Sequence, residues 1–102
     1  MDLMPFLFRI LEALPGTEVV EQKTQLSLRY GGHPYAALYP ATKTQAGLSF
    51  FLNERIDSPR IRGAAEVRPR RITHHMRLSD PGQIDGELIG WLRLAMAWER
   101  GR

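Results

Sequence analysis

The chain has no cysteine, which excludes a disulfide framework and a thiolate zinc site and makes a secreted, stapled scaffold unexpected. Lysine is scarce: two stand against twelve arginines. No stretch approaches the roughly 20 apolar residues of a membrane helix. The most apolar segment, MDLMPFLFRILEALPG, is interrupted by Arg9 and Glu12, and Asp2 stands where a signal peptide carries basic residues. The expectation is a cytoplasmic protein without membrane insertion. Also missing are a glycine-rich phosphate loop, a nucleophile elbow and a paired zinc-ligand motif. Neither a cofactor nor a metal is therefore expected, and no residue is assigned as catalytic.

What is present is an ordinary globular composition. The 102 residues are 43% hydrophobic and 25% charged, which predicts one domain spanning residues 1–102. A domain of this size leaves much of its surface exposed, and burial against a second copy would supplement its stability, so a homodimer is expected. Charge is uneven along the chain. Residues 1–21 hold Asp2, Glu12, Glu18 and Glu21 against Arg9 alone, whereas residues 55–77 hold seven arginines against Asp57 and Glu66. Arginine's planar fork suits phosphate and carboxylate, so a polyanion such as nucleic acid is a candidate partner.

Periodicity predicts the elements. Phe6, Ile10, Leu11 and Leu14 recur at helical spacing, giving a helix over residues 3–14, capped by Asp2 and stopped at Pro15-Gly16. TEVVE reads as a short strand. In QLSLRYGGHPYAALYP, Gly31-Gly32 separate two alternating runs, the signature of a tight hairpin. Its expected register pairs Tyr30 with His33, Leu28 with Tyr35 and Leu26 with Ala37, with Arg29, Ser27 and Gln25 on the other face. AGLSFFLNE supplies a further strand. Residues 53–69 show no sustained period and read as a long connection.

RRITHHMRLSD at residues 70–80 places two histidines among arginines and resembles a catalytic or metal centre at first sight. Side chains in a strand alternate with period two, so His74 joins Ile72, Met76 and Leu78 while His75 joins Arg71, Thr73 and Arg77. The two imidazoles then face opposite ways and cannot share a metal. His74 is expected to be a core histidine bonded to a backbone carbonyl or a tyrosine. Ser79-Asp80-Pro81 predicts a capped turn and Asp85 a second cap. The helix after it carries Ile84, Leu88, Trp91, Ala95 and Trp98 as an apolar stripe.

RITHHMRLSDPGQIDGELIGWLRLA resembles the closing segment of a small bacterial family known as domain of unknown function 5655, some members of which are labelled predicted transport protein. That segment typically has a Thr-His strand start, an apolar and basic alternation, and an Asp-Glu-Leu helix with a Trp-Leu pair. These features fall on Thr73, His74, Met76, Leu78, Asp85, Glu87, Leu88, Trp91 and Leu92. LRYGGHPYAALYPATK is similar to the family's hairpin. At Met96 the family more often has an aromatic residue. The resemblance implies a compact α+β domain and no particular activity.

Together these readings predict a two-layer α+β domain, an antiparallel sheet of four or five strands with an N-terminal and a C-terminal helix on one face. The other face is expected to carry Arg29, Leu38, Phe51, Thr73, His75 and Arg77, with Phe51 lacking an intrachain cover. Three functions compete. An anionic ligand or nucleic acid would be bound by Arg29, Arg70, Arg71, His75 and Arg77. A homodimerising interaction domain would use the open face or the last helix. An enzyme would use His74 with Tyr30, Tyr35 or Asp80, in a pocket formed by His74, Tyr30, Tyr35 and Trp91.

Overall fold

The computed structural model describes residues 4–100. In chain order it contains α1 (Met4–Glu12), β1 (Thr17–Glu21), β2 (Leu26–Tyr30), β3 (His33–Pro40), β4 (Ala46–Leu52), β5 (Gly63–Arg68), β6 (Arg71–Leu78), a 3-10 turn (Pro81–Gln83) and α2 (Gly86–Arg100). The strands form a six-stranded antiparallel sheet in the order β1-β2-β3-β4-β6-β5. The expected count of four or five strands is thus too low. The missing strand is β5, inside the stretch read as a connection. Its sequence, GAAEVR, is mostly exposed, so no burial imposes an apolar alternation on it.

The expected cap at Asp2 and the helix start at residue 3 lie outside the described residues. α1 ends at Glu12, and the Leu14 N–H donates to the Leu11 carbonyl at 3.1 Å, tightening the exit. Gly16 then adopts a φ of +83° that an L side chain rarely reaches. A Cβ there would also stand 2.5 Å from the Tyr30 ring. The glycine therefore lets Tyr30 close over the turn into β1.

The β2–β3 hairpin departs from its expected register. Tyr30 pairs with His33 and Arg29 with Pro34, but a bulge follows, and Leu28 pairs with Ala36 and Leu26 with Leu38. One extra residue on β3 sends Tyr35 and Ala36 inward together, both buried. Leu38 accordingly lies in the core, fully buried, and not on the face where strict alternation places it. Pro34 sits before β3 begins its ladder with β4 at Ala36, so its missing N–H leaves no gap there.

One row of partners crosses the sheet through Leu28, Ala36, Phe50, His74 and Ala64, and a second through Leu26, Leu38, Leu48 and Met76. These rows supply one side of the core. Leu7 and Leu11 of α1 and Leu88, Leu92, Ala95 and Met96 of α2 join them in a single cluster. Spacings of three and four residues put the α2 members on one helix face. Asp85 starts that helix by accepting the Leu88 N–H at 3.1 Å. Asp80 caps the 3-10 turn in a reciprocal capping box with Gln83.

Candidate functional site

The opposite sheet face is built from the alternate residues. Ser27, Ala37, Ser49, His75 and Gly63 form one row across it, flanked by the partners Tyr39, Gly47 and Arg77 on one side and Phe51, Thr73 and Ala65 on the other. The floor is small. Ser27, Gly47, Ser49 and Thr73 are buried beneath their longer neighbours.

Two shallow grooves flank this floor. One, of about 300 Å³, is lined by Tyr39, Arg62, Gly63, His75, Met76 and Arg77. The other, of about 240 Å³, includes Ser27, Arg29, Phe51 and Arg71. Tyr39 lies down on the sheet because its partner Gly47 has no side chain: a Cβ there would come within 2.2 to 2.8 Å of the Tyr39 ring atoms. The Arg62 N–H donates to the His75 carbonyl at 2.8 Å. That bond fixes the chain carrying the Arg62 side chain beside His75 and Arg77. Among the described residues neither Arg62 nor Arg77 makes an ion pair.

Of the arginines expected to bind an anion, Arg29 and Arg71 thus share one groove, while His75 and Arg77 share the other. Arg70 joins neither. It occupies the β5–β6 turn with a φ of +64°, and its backbone N–H donates to the Glu66 carboxylate at 3.4 Å.

Arg71 is largely committed within the chain. Its guanidinium lies 4.2 Å from the centre of the Phe51 ring, which gives Phe51 the cover it was expected to lack. The same group pairs at 3.4 Å with Glu99 of α2, a carboxylate only 2% exposed. Arg60 is committed too. Its Nη1 reaches Asp85 at 2.9 Å and Glu87 at 3.0 Å, its Nη2 donates to the Gln83 carbonyl at 2.7 Å, and the group lies 5.7 Å from the Trp91 ring centre. The Leu88 N–H and then Arg60 hold the Asp85 carboxyl below its ordinary range. Arg55 donates to the Ala64 carbonyl at 3.1 Å. The partners of Arg60 and Arg71 therefore come from the last helix and its entry, not from Asp57 and Glu66.

His74 is fully buried, whereas His75 is exposed. Its ring stacks on Phe50 with centroids 5.2 Å apart and planes 9° from parallel. Nε2 accepts the Ile56 backbone N–H at 3.0 Å, where a backbone carbonyl or a tyrosine was the expected partner. An acceptor Nε2 requires a neutral ring carrying its proton on Nδ1. Burial first holds the His74 pKa below the ordinary 6.5, with the Ile72 and Phe50 carbonyls opposing weakly. Nδ1 makes no hydrogen bond of normal geometry among the described residues.

The four residues expected to share a pocket are dispersed. His74 and Trp91 meet only through Phe50, which stacks on both, its centroid 6.1 Å from that of Trp91. Tyr35 is bonded through its hydroxyl to Thr17 at 2.8 Å, and burial raises its pKa. Tyr30 covers Gly16. With His74 enclosed, the arrangement offers that imidazole no surface on which to meet a substrate. Among the described residues no group of three or more histidine, aspartate or glutamate side chains is placed to hold a metal.

Sequence reasoning did not single out Arg62, Tyr39 or Glu99. Gly47 opposite an aromatic was the available signal for Tyr39, and the arginine cluster contained Arg62 without a strand to orient it. No curated protein and no solved structure matches the chain. The sequence does match the family described as Domain of unknown function (DUF5655) over residues 2–99, nearly its whole length, and the chain belongs to that family.

Proposed function

We propose that this domain binds an anionic ligand on the sheet face opposite the core, centred on Arg62, His75 and Arg77. Both helices cover the other side in this reading, which leaves the arginine-bearing face open to a partner. The observation that carries it is that one groove is lined by two guanidinium groups without carboxylate partners among the described residues. Arginine paired with phosphate or carboxylate gains charge-assisted, often bidentate bonds. Two guanidinium groups lining one groove raise its positive potential and favour an anion there.

Arg29 extends the positive surface into the second groove, although Glu18 stands directly opposite it on β1. Arg70 and Arg71 play no direct part in the proposal. The test is an amide-resolved titration with inorganic polyphosphate at low salt. Perturbations should concentrate on residues 62–63, 75–77 and 39. Perturbation confined to the core side, or none, would remove the proposal.

Self-association is the second reading. It rests on Leu94 and Val67, each 58% exposed, and on Phe6 at 46%, since isolated exposed apolar groups are ordinary but large ones add to an interface. Catalysis by His74 is the weakest reading, given its enclosure.

A further inference from the structure

We infer that the natural occupant of this face is single-stranded nucleic acid, with a base stacked on Tyr39 and phosphates held by Arg62 and Arg77. This inference rests on the anion-binding reading and adds to it the chemistry of the bases.

Three observations carry it. First, the Tyr39 ring is laid flat along the sheet by Gly47, half-buried, in the same groove as the two unpaired guanidinium groups. A flat aromatic beside arginines offers a base a π-face and its phosphate a cation, which is how sequence-tolerant single-strand binding is built. A small inorganic anion has no use for the ring. Second, the floor leading away from Tyr39 consists of Gly47, Ala37, Ser49 and Ser27, which are small enough to let planar groups approach the backbone.

Third, that floor ends at a second groove with a further cation, Arg29. Phe51 and Arg71 line the other groove together with Arg29. Phe51 stands four residues along β4 from Gly47, so the two aromatics are roughly 14 Å apart at the usual rise of a strand. Arg71 covers the Phe51 ring, so what this second groove offers a strand leaving Tyr39 is the Arg29 cation for a further phosphate. A duplex fits less well, because its bases are already stacked and the sheet face presents no helix or ribbon to enter a major groove.

The experiment compares three probes of equal length at low salt: single-stranded oligothymidylate, an abasic deoxyribose-phosphate strand, and a duplex. Binding of oligothymidylate should be about tenfold tighter than that of the abasic strand, the effect of one stacked base, and tighter than that of the duplex. Tyr39→Leu should abolish the difference between the two strands, and Tyr39→Phe should retain it. If Tyr39→Leu fails to fold, the natural chain's preference between the first two probes decides alone. Equal affinity for base-bearing and abasic strands overturns the inference but leaves anion binding standing. Tighter duplex binding also overturns it. Absence of binding to all three overturns both.

Discussion

The Ile56 backbone N–H donates to Nε2 of His74 at 3.0 Å, so a histidine in β6 holds down the chain between β4 and β5. That bond exists only while the ring is neutral. Because burial holds the folded pKa below 6.5, the unfolded chain binds more protons between the lowered value and 6.5. The stability conferred by neutral His74 is complete above about pH 6.5 and is lost as pH falls through the folded value. Denaturant midpoints should therefore decline on acidification in that window. His74→Leu should lower stability by about 1–3 kcal/mol at neutral pH, since the Ile56 N–H loses its acceptor, and should flatten the acid decline.

Arg71 and Glu99 should behave as a structural pair. Removing the cation takes a charged partner from a carboxylate 2% exposed at the end of α2, which should cost about 1–3 kcal/mol. Arg71→Ala is expected near the lower end, because Arg71 itself keeps 16% of its side chain exposed. The double change Arg71→Met with Glu99→Gln should be milder than the sum of the single changes. Additive effects in chemical denaturation would refute the pairing.

Gly47→Ala should displace Tyr39. The new methyl would overlap the ring, and relieving it should cost about 1–3 kcal/mol. A crystal or solution structure of the variant should find the Tyr39 ring lifted off β4. An unmoved ring with unchanged stability would contradict the packing described.

Self-association should appear in sedimentation at micromolar concentration and be weakened by Leu94→Glu, because Leu94 is 58% exposed on α2. A monomer throughout that range would contradict self-association.

Much of the architecture was legible because burial writes periodicity. His74 and His75 were assigned to opposite faces by alternation alone, and Asp80 and Asp85 by their capping positions. The β2–β3 register was not legible, since a bulge between Leu28 and Arg29 changes no residue type and shifts every later pair by one. β5 escaped because an exposed edge strand of small and charged residues carries no buried face. The site was blurred for a different reason. Arg60, Arg62 and Arg71 look alike in sequence, yet among the described residues two of them meet carboxylates from residues 85–99 and one does not. Only the tertiary fold distinguishes a committed guanidinium from an available one.

Anion binding at Arg62 and Arg77 is tested most directly by the salt dependence of single-strand binding. Each phosphate neutralised contributes about 0.7 to the slope of log affinity against log salt. The Arg62→Ala, Arg77→Ala double variant should bind more weakly at low salt, with a slope shallower by about 1.4 than that of the natural chain. An unchanged affinity and slope in the double variant would contradict the account.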